Sequence, residues 1–270
     1  MSAPSPRTVA PATNKLPPIT ELYVQRDQPD GVPPLHLTGE RTLPDVPEEN
    51  YWYRRHLVVY EWIADRVHGR RVVDLACGEG YGSDVLANTA QSVIGVDANP
   101  EAFEHCKAKY PRVTFERNMV EIWQGDVDCV VFLQTIEHIQ DPDAMLAHIR
   151  SLIEPDGVAY VSTPNVLTLA PKGAERSGNP WHVREYRPEE FGALCGRHFG
   201  QVDLLGLFHA RKLRAHQVAL ERLAWDRVHQ TLHLTRPFYE RFNPAISAKD
   251  FTLRKGGLER SLDLLAVLKP

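Results

Sequence analysis

Hydrophobic residues follow two alternating patterns from residue 71 onward. Short apolar runs, such as 71–76, 92–97 and 127–133, are separated by segments whose apolar residues recur every three or four positions. Runs of this length predict buried strands, and the longer spacing predicts amphipathic helices. Strands that alternate with helices indicate a parallel, doubly wound sheet with right-handed crossovers.

The same pattern predicts the residue ranges of the strands and helices. Strands are expected at 71–76, 92–97, 112–116, 127–133, 158–162, 201–207 and 261–267, which makes a seven-stranded α/β sheet. Helices are expected from Glu49 to about Val67 and over 82–89, 100–110, 142–153 and 188–197. Pro100 suits the first turn of its helix.

Four segments lie outside this minimal alternation. Residues 1–34 contain eight of the 21 prolines and are predicted to be disordered or extended over the surface. The rest, 35–270, is predicted to be one domain that begins with an N-terminal cap, 35–70. A long loop at 163–187 and a helical lid insertion at 209–260 are expected over the carboxyl ends of the strands, where such sheets bind ligands.

Composition narrows the class of protein. A chain of 270 residues that is 43% hydrophobic can bury one core. A net charge of −4 provides no basic surface, so nucleic acid is not the expected partner. The four cysteines form no Cys-x-x-Cys pair and no apolar run has membrane-spanning length. These features predict a cytoplasmic protein with reduced thiols and no membrane span.

The first predicted strand leads into a glycine turn that has the features of a nucleoside site. Asp74 lies within this strand, Gly78, Gly80 and Gly82 follow, and the second strand ends in Asp97. Glycines allow positive φ and close approach of a ligand. An acidic residue at the end of the second strand can bind both hydroxyls of a ribose.

The spacing of the glycines distinguishes between cofactors. A dinucleotide site uses Gly-x-Gly-x-x-Gly, whereas here Ser83 stands where the third glycine of that motif would be. Asp74 and Glu79 also place negative charge beside the turn, which disfavours a pyrophosphate and favours a sulfonium. The pattern therefore favours S-adenosylmethionine over NAD, although ordinary turn chemistry would also account for these residues.

Residues 72–165 resemble the class I S-adenosylmethionine-dependent methyltransferases, which have a Rossmann-like sheet. The resemblance implies that the last strand is antiparallel to its neighbours. It also implies that the methionine part lies against the glycine turn, the ribose at Asp97 and the adenine at Asn118. The cofactor-binding residues it predicts are Asp74, Ala76, Gly78, Gly80, Asp97, Ala98, Asn118, Met119, Gln134 and Tyr53.

Glu137 and His138 follow the fourth strand and resemble the Glu-His pair of many small-molecule O-methyltransferases. An alcohol attacks a methyl group poorly until its proton is removed, so His138 is a candidate general base, with Glu137 orienting it and His182 assisting. Alternatively, Glu137 and His138 bind Mg²⁺. Related quinone enzymes add an acidic residue where this chain has Gln134. A purely structural role for the pair is the third alternative.

Residues 178–186 form a loop rich in polar and aromatic side chains. Trp181, Arg184 and Tyr186 are candidate substrate contacts, because aromatic faces bind sugar rings and charged groups bind hydroxyls. The alternative is a loop held in place by its own aromatics. With the run Ser162–Asn165, the segment resembles methyltransferases of bacterial polysaccharide and glycolipid pathways.

Residues 37–210 resemble methyltransferases of mycobacterial polymethylated polysaccharides, on the runs 38–41, 49–56 and 207–209. The resemblance implies an O-methyltransferase that acts on a mannose or glucose oligosaccharide. It places Tyr53, Arg54 or His56 over the cofactor and His209 and Arg211 at the acceptor, whereas an amphipathic cap is the structural alternative for 49–56.

Two other functions remain open. One is methylation of a non-sugar small molecule such as a quinone or polyketide phenol, and the other is a non-catalytic S-adenosylmethionine-binding scaffold. The insertion and the aromatic cap are also a candidate homodimer face.

Overall fold

The computed structural model describes residues 24–39, 41–171, 173–223 and 241–270. Its strands are β1 (Arg71–Leu75), β2 (Ser92–Asp97), β3 (Thr114–Arg117), β4 (Val127–Leu133), β5 (Ile153–Pro164), β6 (Gln201–His209), β7 (Phe251–Arg254) and β8 (Asp263–Lys269). Its helices are α1 (Asn50–Ala64), α2 (Tyr81–Leu86), α3 (Pro100–Lys109), α4 (Pro142–Leu152), α5 (Val166–Leu169), α6 (Pro188–Gly196) and α7 (Arg211–Leu223).

The strands form one mixed sheet in the order β3-β2-β1-β4-β5-β8-β6-β7. Strands β1 to β5 are parallel, and β8 runs antiparallel to both β5 and β6. The α/β prediction and the antiparallel last strand are therefore confirmed. Chain order reverses between β1 and β4, and ligands bind at the carboxyl ends of strands at such a switch point.

The predicted count of seven strands was wrong, because β7 lies within the stretch expected to be helical. Phe251–Arg254 pairs antiparallel with residues 206–209 of β6 at the edge of the sheet. Only Phe251 of its four residues is buried, so the strand has no apolar run in the sequence. Helix α7 occupies the start of the predicted insertion, and residues 224–240 lie outside the described residues.

Two hydrophobic layers cover the two faces of the sheet. Helices α4 and α6 contribute to the layer that contains Phe132 and Leu146, and α1 contributes to the layer that contains Ile63 and Val131. The four cysteines are buried and form no disulfide. No helix within the described ranges is long and apolar enough to cross a membrane.

The segment before α1 has a small apolar cluster of its own, formed by Leu35, Leu43 and Val46. The imidazole of His105 on α3 also contacts the carbonyl of Pro33, with Nδ1 2.7 Å from the oxygen. Residues 1–23 of the segment predicted to be disordered or extended lie outside the described residues.

Candidate functional site

A cavity of about 400 Å³ opens at the carboxyl ends of β1 and β4, beside the point where strand order reverses. Its walls come from the segment before α1, from α1 itself, from the glycine turn and from the residues after β4. The lining residues are Arg41, Thr42, His56, Tyr60, Ala76, Cys77, Gly78, Glu79, Tyr81, Asp97, Leu133, Gln134, Thr135, His138 and Trp181.

Two lining residues have a backbone conformation that non-glycine residues rarely adopt. Ala76 follows β1 with φ 58° and Gln134 follows β4 with φ 52°. Such conformations cost of order 1–3 kcal/mol and cluster at ligand sites. The Gln134 side chain is held by the hydroxyl of Ser162 on β5, to which its amide donates at 3.0 Å. The tip of β4 is thus fixed beside the cavity.

The three glycines of the turn have two different roles. Gly78 and Gly80 have φ values of 60° and 91°, which a residue with a Cβ adopts only under strain. Gly82 lies on α2, where a Cβ would stand 2.2 Å from the ring of Tyr60. Gly78 and Gly80 therefore allow the turn, whereas Gly82 allows α1 to approach α2.

Asp97 lines the cavity at the end of β2. One carboxylate oxygen accepts from the N–H of Gly78 at 2.9 Å, and the other accepts from the N–H of Asn99 at 2.8 Å. Each carboxylate oxygen can accept more than one hydrogen bond, so this group can still receive hydroxyl donors. Its position suits the ribose contact that the sequence predicts.

Asp74 lies beneath the turn and is not part of the cavity wall. Its carboxylate is fully buried and accepts hydrogen bonds from Ser83 Oγ at 2.7 Å and the hydroxyl of Tyr60 at 3.3 Å. Burial raises the pKa of Asp74 to about 7, despite these donors. Asp74 therefore holds α1 and α2 against β1, behind the surface that a cofactor would touch.

Glu79 is paired within the protein, which corrects the electrostatic argument from sequence. Its oxygens lie 2.7 Å from Lys109 Nζ, 3.0 Å from His105 Nε2 and 2.8 Å from the hydroxyl of Tyr110. The ammonium of Lys109 compensates the charge of Glu79. Glu79 and Asp97 both line the cavity, and the charge of Glu79 is engaged by Lys109.

The other predicted cofactor residues surround this cavity without lining it. Tyr53 is half-buried and packs edge-on against the ring of Tyr81, which is a lining residue. Ala98 follows β2. Asn118 follows β3, where its N–H donates to the carbonyl of Asp97 at 3.3 Å, and Met119 is exposed beside it.

Glu137, His138 and His182 come together at one edge of the cavity. One donor atom from each lies within 4.8 Å of the other two. The loop that contains His182 is held here because the carbonyl of Glu137 accepts from the N–H groups of Val183 and Arg184, at 2.9 and 3.1 Å. Residues that follow β4 and a loop that follows β5 thereby form a single cluster. His138 and Trp181, which are in contact here, lie 43 residues apart in the chain.

The three side chains of this cluster have distinct environments. Glu137 is 1% exposed, and burial raises the pKa of its carboxyl to about 8. His138 lines the cavity, and its Nδ1 lies 2.8 Å from the carbonyl of Trp181. Because a carbonyl only accepts, Nδ1 carries the proton and Nε2 of the neutral ring carries the lone pair. Burial lowers the pKa of His182.

Several predicted acceptor residues do not line the cavity. Tyr186 is fully buried against Phe191, with the guanidinium of Arg184 over its ring. His209 lies between the hydroxyl of Tyr51 and the side chain of Gln217, and Arg211 is the exposed first residue of α7. Trp181 is the one predicted acceptor residue in the cavity wall, and its side chain is 52% exposed.

Other lining residues were missed by the sequence analysis. Tyr60 and Tyr81 were not among the predicted site residues, and Arg41 and Thr42 lie in a segment without periodicity. His56, one of three candidates to cover the cofactor, lies in the wall with Nδ1 3.3 Å from Thr42 Oγ1. Burial lowers the pKa of His56 to about 4, so it stays uncharged beside a cationic ligand at neutral pH.

A family model described as a methyltransferase domain matches residues 51–218. The chain is 44% identical over 191 residues to a probable S-adenosylmethionine-dependent methyltransferase of Mycolicibacterium smegmatis, covering 68% of this chain and 74% of that protein. It is 42% identical over 184 residues to a similarly described protein of Mycobacterium tuberculosis, covering 67% of each.

More distant similarity extends to an enzyme of stated substrate class and to solved structures. The chain is 28% identical over 174 residues to a ubiquinone biosynthesis O-methyltransferase of Pseudomonas aeruginosa, covering 54% of this chain and 72% of that protein. A crystal structure of a methyltransferase from Thermotoga maritima superposes with a TM-score of 0.56 at 15% identity, covering 83% and 95% of the two chains. The latter shows a shared fold.

Proposed function

Because this chain belongs to the S-adenosylmethionine-dependent methyltransferases, we propose that it methylates a hydroxyl group of a mannose or glucose oligosaccharide. The observation that carries hydroxyl methylation is His138, an imidazole in the cavity wall with its lone pair fixed on Nε2. A hydroxyl nucleophile needs such a base, because its own pKa is far above 7.

The cavity residues suit the cofactor. S-adenosylmethionine supplies an electrophilic methyl group on a sulfonium. Gly78 and Gly80 leave room for the backbone to approach it, and Asp97 offers carboxylate oxygens to the ribose hydroxyls. His56 lies in the same wall as an uncharged ring, so it does not repel the sulfonium.

The proposed mechanism is an in-line displacement in which the protein mainly aligns the reactants. Alignment of two bound reactants is worth about 7–11 kcal/mol. His138 Nε2 accepts the hydroxyl proton, a contribution of about 10²–10⁴-fold. The carbonyl of Trp181 holds the ring in the tautomer required and stabilises its protonated form.

The proposal of a sugar acceptor is based on Trp181 and on the resemblance across residues 37–210. The indole lies in the cavity wall and is half exposed, which suits stacking against the face of a sugar ring. Gln134 and Thr135 add hydrogen-bonding groups to the same wall. Arg184, Tyr186, His209 and Arg211 are not used, because they lie outside the cavity wall.

A phenol is the second candidate acceptor, favoured by the similarity to the ubiquinone enzyme. A phenol ionises near pH 10 and depends less on a base than an alcohol does. The non-catalytic scaffold is the third candidate, and the placement of His138 in the cavity wall argues against it.

Methyl transfer from labelled S-adenosylmethionine to a panel of manno-oligosaccharides, gluco-oligosaccharides and catechols tests the proposal. We expect transfer to a sugar, a loss of about 10²–10⁴-fold in kcat for H138A, and unchanged binding of the demethylated cofactor. His68, exposed after α1, provides the control H68A. Transfer to phenols alone would favour the second candidate, and no transfer with intact cofactor binding would favour the scaffold.

A further inference from the structure

A second cavity, of about 310 Å³, lies next to the cavity described above, and His138 lines both of them. The volumes of small-molecule sites begin at about 300 Å³. The wall of the second cavity is built by α4, by the residues that connect His138 to α4, and by Glu121 from the connection between β3 and β4. It is therefore large enough for one small ring-shaped ligand.

The wall of the second cavity is acidic and carries an amide. Glu121 and Asp141 contribute carboxylates and Gln140 contributes the amide, and no lysine or arginine is among the described residues that line it. Carboxylates repel a phosphate or another carboxylate, whereas they accept hydrogen bonds from hydroxyls, and an amide both donates and accepts. The cavity therefore suits an uncharged ligand with several hydroxyl groups.

Helix α4 presents one face to this cavity. Asp141, Met145 and His148 follow one another at four- and three-residue steps, which places them on the same side of the helix. Oδ1 of Asp141 accepts from the N–H of Ala144 at 2.9 Å, so this carboxylate is held at the start of the helix. Met145 and Ile139 are buried and add apolar surface to the wall. Apolar surface with a few placed polar groups is typical of small-molecule sites.

His148 provides an independent indication of a ligand. Its Nε2 is buried and has no hydrogen-bond partner among the described residues, and buried polar atoms without a partner are uncommon in native structures. Either tautomer of the imidazole can bond to a hydroxyl, because a hydroxyl both donates and accepts. Since the His148 side chain lines the cavity, a rotation of its ring would bring this nitrogen to a ligand hydroxyl.

The residue shared by the two cavities connects the second one to the reaction. A ligand that occupies both cavities must pass His138, whose Nε2 carries the lone pair assigned to the base. The sugar that reacts would lie in the first cavity, which Trp181 also lines. A sugar linked to it would then reach the second cavity.

We propose that the second cavity is a subsite for the sugar unit next to the one that is methylated, so that the preferred acceptor is an uncharged chain of at least two sugars. This subsite rests on the proposed function, because the reacting sugar must first lie at His138. Glu121, Gln140, Asp141 and His148 bind the hydroxyls of the second sugar. They select acceptor length and take no part in the displacement.

Calorimetry on the complex with the demethylated cofactor tests this subsite without turnover, with methyl glycosides of one, two and three mannose or glucose units as ligands. We expect the second sugar to tighten binding by about tenfold, because a few hydrogen bonds contribute this much. The third sugar should add little, and a phosphate on the second sugar should weaken binding. E121A, Q140A and H148F should each reduce the gain by about threefold or more, with unchanged affinity for the one-sugar glycoside.

Q124A is the matched control, because Gln124 is an exposed glutamine in the same connection as Glu121 and lies outside the cavity wall. Glu121 and Gln140 are exposed, so E121A and Q140A should keep the fold, which circular dichroism checks. A second sugar that adds no affinity, or a gain that all three variants leave unchanged, would overturn the subsite. Weaker binding of the demethylated cofactor in E121A and Q140A would assign the cavity to the cofactor and overturn it as well.

The same ligands separate this subsite from the proposed function. Length-dependent binding that the variants reduce, without methyl transfer from S-adenosylmethionine, would overturn the proposed function and leave the subsite standing. Methyl transfer to one-sugar and two-sugar acceptors at equal kcat/KM would overturn the subsite and leave the proposed function standing.

Discussion

The guanidinium of Arg55 on α1 donates two hydrogen bonds to the carboxylate of Asp263 on β8, with N···O distances of 2.7 and 2.5 Å. Both side chains are buried, and Arg55 also donates to the carbonyl of Leu262 at 3.0 Å. The pair connects α1 to the start of β8. Because α1 carries His56 and Tyr60, the pair also fixes one wall of the cavity.

Removal of one partner of this pair should destabilise the protein strongly. D263A leaves a buried guanidinium uncompensated, at a cost of about 3–5 kcal/mol in the free energy of unfolding, measured with urea. K255A is the control, because Lys255 forms an exposed pair with Asp203 at 2.6 Å and such pairs are worth about 0–1 kcal/mol. Equal losses in the two variants would contradict the assignment.

Gly82→Ala tests the contact between α1 and α2. The added Cβ would lie 2.2 Å from the Tyr60 ring, so we expect a loss of about 1–3 kcal/mol in stability from overpacking. Displacement of Tyr60 should also weaken binding of the demethylated cofactor. Gly196→Ala at the end of α6 is the control, since its Cβ meets no atom within 4 Å. A tolerated G82A with unchanged cofactor affinity would refute this reading.

Asp97→Ala should weaken cofactor binding without unfolding the protein. The substitution removes the acceptor for the N–H groups of Gly78 and Asn99 as well as the proposed ribose contact. Hydrogen bonds to a charged group contribute about 1.5–3 kcal/mol, so we expect a rise in Kd of about 10–100-fold by calorimetry. D143A alters an exposed carboxylate beside Arg197 and should leave the Kd unchanged. An unchanged Kd in D97A would remove Asp97 from the site.

His209 should make stability depend on pH. Its ring accepts from the hydroxyl of Tyr51 at 2.7 Å and donates to Gln217 at 2.9 Å, and burial lowers its pKa to about 4. The unfolded chain, with a pKa of about 6.5, therefore binds more protons between these values, and stability falls as pH decreases through this range.

The variant H209Q removes this titration. We expect it to be about 1 kcal/mol less stable than the wild type at pH 7.5, from a perturbed buried hydrogen bond. The difference should shrink as pH falls towards 4, measured by thermal unfolding. A difference that stays constant over this range would show that His209 is not held neutral, and H68Q supplies the exposed comparison.

The strand tips and the glycine turn were predictable because their signals are local. Asp97 and Gly78 lie in the cavity wall as the sequence indicates. The environment of Glu79 was not predictable, because its cation is Lys109, 30 residues further along the chain. Asp74 and Asp97 look equivalent in the sequence, yet burial separates them, and only the packing of Tyr60 and Ser83 shows this.

The residues that contact the acceptor were less predictable, because most of their candidates lie in an irregular loop. Within the segment 178–186, two aromatic residues have opposite environments: Trp181 is exposed at the cavity, whereas Tyr186 is fully buried. An irregular loop has no period that distinguishes them. Strand β7 was missed because an edge strand with one buried side chain resembles a polar loop.

The loop docked on Glu137 is chemically separable from the turn that holds Asp97. Its attachment uses the carbonyl of Glu137 and the backbone N–H groups of residues 183 and 184, which every replacement residue other than proline would also possess. Exchange of residues 173–185 would therefore change the acceptor side of the cavity and leave the glycine turn and Asp97 unchanged. In this scaffold the acceptor can diversify without loss of the cofactor site, because the two are encoded by separate segments of the chain.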